Sequence, residues 1–173
     1  MATEKSKVKF DDSSSVTAAK SGGLKFNRYF SKEGKHPFQE IKWAMRQSKI
    51  TNPDGSVVSS MDAVEVPADW SQLATDIAVS KFFRKAGVAK KAGEPDHETS
   101  ARQLVTRIAS SIRKAGEKLG GYFKTTKDAF IFEDELTALL ITQRGAFNSP
   151  VWFNCGLYEA YGIVGSPGSH YWN

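Results

Sequence analysis

One long apolar stripe constrains this chain more than any other feature. From Glu98 onward, Ala101, Leu104, Val105, Ile108, Ala109, Ile112, Ala115 and Leu119 recur at offsets of three and four. That spacing stacks side chains on one face of an α-helix. A helix with so continuous an apolar face draws most of its stability from what covers that face. Gly120-Gly121 ends it, because glycine tolerates the backbone angles of a helix C-terminus. The rest of the chain must therefore supply a cover for this helix.

Two further helices are expected to do so. Asp69 can cap a segment from Trp70 to Phe83 in which Trp70, Leu73, Ala74 and Ile77 share a face. Another starts after Thr126 as cap and runs to about Gln143, with Phe132, Leu136, Leu139 and Leu140 turned inward. Its first half carries Glu133, Asp134 and Glu135, which complement the positive end of the helix dipole. Ala86 to Pro95, rich in glycine and lysine, reads as an exposed loop.

Ahead of the helices the period changes to two. Ile41, Trp43 and Met45 fall on one side of an extended segment, as in a half-buried strand. Asn52-Pro53-Asp54-Gly55 is a turn signal, with proline setting one φ and glycine permitting a positive one. Ser56-Val57-Val58 returns as the second strand of a β-hairpin. Near the other end, Val151-Trp152-Phe153 is β-branched and aromatic and suits a buried strand, with Pro150 at its first residue. Gly162 to Asn173 reads as a loop. Residues 1–23 are rich in Ser, Lys and Asp and hold too little apolar material to offset the entropy of ordering, so a disordered tail is expected. The expected core is Trp43, Leu73, Ile77, Leu104, Val105, Ile108, Ile112, Leu136, Leu139, Leu140, Val151 and Phe153.

Composition excludes several classes. No run of 18 apolar residues exists, so no membrane-spanning helix is expected. Met1 to Phe10 is charged and lacks the apolar segment of a secretory signal. The sequence holds 1 cysteine, Cys155, which can make no internal disulfide and fits a reducing cytoplasm. His36, His97 and His170 lack the spacing of metal ligands, so no metal is assigned. A net charge of +5 is what a lysine-rich solvated surface produces.

Several segments, in order, resemble the N-terminal region of the adenosylcobalamin-dependent (class II) ribonucleotide reductases. They are Asn27-Arg28-Tyr29-Phe30, His36-Pro37-Phe38, Ile41-Lys42-Trp43, Val66-Pro67, Trp70-Ser71-Gln72-Leu73-Ala74 and Val79-Ser80-Lys81. Glu98-Thr99-Ser100-Ala101-Arg102-Gln103-Leu104, Gly120-Gly121-Tyr122-Phe123 and Phe147-Asn148-Ser149-Pro150-Val151-Trp152-Phe153-Asn154 complete the series, which covers residues 24–160. The resemblance implies a mainly α N-terminal domain with a small β-hairpin over residues 24–145. Residues 146–173 would then begin the ten-stranded α/β catalytic barrel, cut short. It also implies an enzyme that reduces ribonucleotides, the diphosphates, to deoxyribonucleotides by radical chemistry, with adenosylcobalamin bound mostly outside this chain. The remainder of the reductase, in the same polypeptide or a separate chain, is the implied partner, and a homodimer the implied assembly.

Within this region the resemblance assigns substrate binding to Ser149, whose hydroxyl would bond the substrate's phosphate. Asn148 would orient the same turn through its amide. No catalytic residue is assigned. The thiyl-radical cysteine, the redox cysteine pair and the catalytic Asn and Glu of the family lie downstream, and Cys155 reads as a small buried hydrophobe. The chain alone is therefore expected to be inactive. Two other readings compete: a basic helical module using Lys81, Arg84, Lys85, Lys90 and Lys91 on nucleic-acid phosphates, or a structural fragment that works only with a separately encoded partner.

Overall fold

The computed structural model describes residues 22–164 except Lys90, and of Ser59 the backbone alone. The expected tail falls almost wholly, and the terminal loop largely, outside these residues. β1 (Trp43–Thr51) and β2 (Val57–Pro67) pair antiparallel around the Asn52–Gly55 turn. The turn closes through Gly55 N–H donating to Asn52 O at 2.9 Å, with Gly55 at φ +84°. Both strands run further than the sequence signals suggested, and the register slips between Arg46 and Ser48. Cross-strand pairing puts Ala44 opposite Val66 and Arg46 opposite Val64, and both valines are fully buried. On the side carrying Ile41, Trp43 and Met45, Ile41 and Trp43 are half-buried against the main core as expected, but Met45 does not share that cover. Phe38 and the Arg102 guanidinium, 3.7 Å above the Trp43 ring, cover that side at one end. Met45 beyond them is exposed.

Arg46 ties the hairpin to the corner that follows, donating to Trp70 O and, at 2.8 Å, to Ala68 O. There α1 (Gln72–Ile77) starts with Ser71 as its cap, not Asp69: the Ser71 hydroxyl accepts Ala74 N–H at 3.0 Å. The helix is shorter than expected and passes into a π-helical turn over Ala78–Phe82, where Phe83 N–H donates to Ala78 O at 2.9 Å. Thr75 on α1 and Ala78 and Val79 at the start of the wider turn are buried. Leu73 and Ile77, expected in the core, are 69% and 43% exposed.

α2 (Ala101–Leu119) is the striped helix. Ser100 and Gln103 form a capping box at its start, and Glu65 N–H donates to Thr99 O at 2.9 Å, joining it to β2. Leu104, Val105, Ile108 and Ala109 are buried, whereas Ala115 and Leu119 lie on an exposed last turn. α3 (Thr126–Ile141), capped by Thr125 and not Thr126, packs against α2. It buries Ile131, Leu140 and Ile141, with Leu136 and Leu139 at the margin. The buried Trp70 indole donates to Ile141 O at 2.9 Å.

The acidic residues of α3 have tertiary partners beyond the helix dipole. Glu133 pairs with Arg113, and Asp134 with Arg28 at 2.7 Å. Glu135 accepts the backbone N–H groups of Tyr29 (3.0 Å), Phe30 (2.8 Å) and Ser31 (2.8 Å). These carboxylates hold the segment before the hairpin along the helix. The expected strand at Val151-Trp152-Phe153 is instead α4 (Ser149–Asn154), followed by α5 (Leu157–Tyr161). A strand needs a neighbour to pair with, and the sheet among the described residues holds just β1 and β2. Pro150 fits the first turn of a helix, where its missing N–H costs nothing. No described helix is long and apolar enough to cross a membrane.

Candidate functional site

The segment Asn148–Gly156 is held from within by one buried arginine. Arg107, on the middle of α2, donates through Nη1 to Cys155 O at 2.6 Å and through Nη2 to Trp152 O at 2.7 Å. Both carbonyls lie at the C-terminal end of α4, where helical carbonyls lack intrahelical partners. Nη2 also reaches Phe82 O at 3.1 Å, and Nε donates to Glu98 Oε1 at 2.8 Å. Glu98, fully buried, accepts Tyr161 OH at 2.8 Å on the same oxygen and Arg84 N–H at 2.8 Å on the other. A buried ion pair is tolerable when its remaining donors and acceptors are satisfied in this way.

Close packing completes the mount. Gly156 adopts φ +77°, and a Cβ there would stand 2.0 Å from Arg107 O. No other residue lets the chain pass so near α2. Trp152 stacks on Phe82 with ring centroids 5.6 Å apart and donates its indole N–H to Phe147 O at 2.9 Å.

The opposite end of α4 faces solvent. Asn148 is its N-cap with an extended backbone, and Ser149 is its first helical residue. Both are exposed, and among the described residues neither side chain has a hydrogen-bond partner. The two sequence-assigned residues are thus adjacent, unengaged and presented on a rigid base. Cys155 is half-buried, and burial pushes its thiol above the ordinary range. The Arg107 charge opposes that shift and Glu159 adds to it. A thiol raised in this way carries less of the reactive thiolate at neutral pH.

Arg107, Glu98 and Tyr161 escaped sequence reasoning: a charged residue within a helical stripe, as Arg107 is, reads as the solvent face, and Glu98 and Tyr161 are drawn to it only by the fold. The single signal was the position of Arg107 between Leu104 and Ile108. The basic cluster is partly committed elsewhere: Lys85 donates to Val79 O and Arg84 Nε to Ala86 O at 2.8 Å. Lys90 is outside the described residues.

Residues 44–143 match the family model described as class II vitamin B12-dependent ribonucleotide reductase. The chain belongs to that family. Among curated proteins, the vitamin B12-dependent ribonucleotide reductase of Agrobacterium fabrum is 41% identical over 86% of this chain. Those of Streptomyces avermitilis and Rhodopirellula baltica are 44% and 40% identical over 83% and 87% of it. In each case the match spans 14% of the relative's own length.

Vitamin B12 dependence in this family implies a cobalamin cofactor, and a corrinoid needs a wide, mainly apolar cradle. A cleft of about 660 Å³ is lined by Glu94, His97, Arg102, Lys114 and Glu159 among others. The uncharged cleft beside α4 is about 250 Å³. Neither of these two clefts is such a cradle.

Proposed function

We propose that this chain is the N-terminal portion of a reductase that converts ribonucleoside diphosphates to deoxyribonucleotides for DNA synthesis. Adenosylcobalamin is its radical source, and residues 146–173 lead into the α/β catalytic barrel. The observation that carries this reading is the asymmetry of α4. Its C-terminal end is anchored by Arg107, while Asn148 and Ser149 offer an amide and a hydroxyl outward at the other end. In this reading the Ser149 hydroxyl donates to a phosphate oxygen of the substrate and Asn148 orients the turn.

Substrate reduction by a protein dithiol consumes two thiols, and this sequence has 1 cysteine. The redox cysteines and the cobalamin site then belong to the remainder of the reductase, joined or separate, and the enzyme works as a homodimer in the cytoplasm. The purified chain alone yields no deoxynucleotide.

The test uses a full-length reductase in which this segment replaces the matching region of the Agrobacterium fabrum enzyme. Removing one charge-assisted hydrogen bond by Ser149→Ala should cost about 1.5–3 kcal/mol, or roughly 10- to 100-fold in kcat/KM. Cys155→Ala should leave turnover intact. Loss of turnover in the cysteine variant with retention in the serine variant would reverse the assignment.

A further inference from the structure

Beside α4 lies a cleft of about 250 Å³ lined by Trp70, Ile77, Phe82, Leu140, Ala146 and Trp152 among others, with no ionisable side chain. The larger clefts elsewhere are each lined in part by charged residues. Ile77, which lines it, is 43% exposed, and Leu73, one turn earlier on α1, is 69% exposed. Bulky aliphatic residues left open beside an uncharged groove mark a surface made to be covered.

We infer that this groove receives an apolar segment of the catalytic remainder of the reductase, which rests on the reading of the chain as that enzyme's N-terminal portion. Two observations choose this occupant. The match spans 14% of the relatives' length, so in the proposed full-length enzyme a body several times larger adjoins this one. Ala146 and Trp152 also flank Asn148 and Ser149, so whatever fills the groove abuts the end of α4 that awaits its ligand. The uncharged lining asks for aliphatic or aromatic side chains, since a charge there would be desolvated without a partner. Seating that segment would fix the catalytic body against the phosphate-binding turn.

Hydroxyl-radical footprinting read by mass spectrometry decides the matter. It compares the 173-residue chain with the full-length chimera described above. Modification of Leu73 and Ile77 should fall severalfold in the full-length protein, while Leu119, 77% exposed on the far end of α2, keeps its reactivity. Leu73→Asp should leave the melting temperature of the 173-residue chain unchanged and restore footprinting at Ile77 in the full-length protein. Equal reactivity of Leu73 and Ile77 in both proteins overturns the inference. So does protection that rises with the concentration of the isolated chain, which would identify a second copy as the occupant. Turnover of the same chimera separates the two readings. Turnover without protection sinks the groove alone, and protection without turnover supports docking while sinking the proposed reaction.

Discussion

Glu98 and Arg107 meet at 2.8 Å with their side chains 0% and 1% exposed, and each also holds backbone from another part of the chain. One ion pair thus joins the loop before α2, the π-helical turn and the mount of α4. Its members lie nine residues apart on either side of the α2 N-cap.

Breaking this pair should be costly, because the surviving charge stays buried. Arg107→Met is expected to destabilise the chain by about 3–5 kcal/mol, measured by urea unfolding. It should also release α4, seen as loss of the Trp152–Phe82 stack in near-ultraviolet circular dichroism. A variant of unchanged stability would show that the carbonyl contacts contribute nothing.

Gly156→Ala tests the close approach. The left-handed backbone alone costs about 1–3 kcal/mol for a residue with a Cβ, and the collision with Arg107 O adds to it. Gly162, at φ +71° and ψ 16° with nothing near its missing Cβ, shares the left-handed backbone and is the control. Gly156→Ala should lower the urea midpoint clearly more than Gly162→Ala, and equal effects would mean that α4 can move away from α2.

The corrected core makes a paired prediction. Ile108→Ala, fully buried on α2, should cost about 2–5 kcal/mol. Leu73→Ala, expected from sequence to match it, should stay within about 0.5 kcal/mol because Leu73 is exposed. Thermal melts of the two variants with similar losses would restore the sequence-based face of α1.

Acid should loosen the segment before the hairpin first. Burial works against ionisation of Glu135. The Ser31 hydroxyl and the N–H groups of Phe30, Tyr29 and Ser31 outweigh it and hold the carboxyl below its usual range. A carboxyl lowered on folding contributes stability that is complete above its unfolded value, about 4.3, and that fades as pH falls through the folded one. Amide protection at Phe30 and Ser31, taken relative to the intrinsic exchange rate at each pH, should therefore fall below about pH 4 while Val105 and Ile108 stay protected. Glu135→Gln should abolish that pH dependence.

The sequence by itself determined the elements whose signals are local. The α2 stripe, the Asn52–Gly55 turn and α3 follow from side-chain period, capping and turn chemistry, which act over a few residues. The family was legible too, since ordered short segments survive without any knowledge of packing. Tertiary structure decided the rest. Whether Val151-Trp152-Phe153 became strand or helix depended on a neighbour, and among the described residues Arg107, not a strand, offered the Trp152 carbonyl a partner. Which face of α1 turned inward depended on what meets it: Thr75 is buried beside Arg46 while Leu73 and Ile77 stay open. The Glu98–Arg107 pair was invisible for the same reason: a charge is buried just where distant backbone arrives to satisfy it, and that arrival is a property of the folded chain.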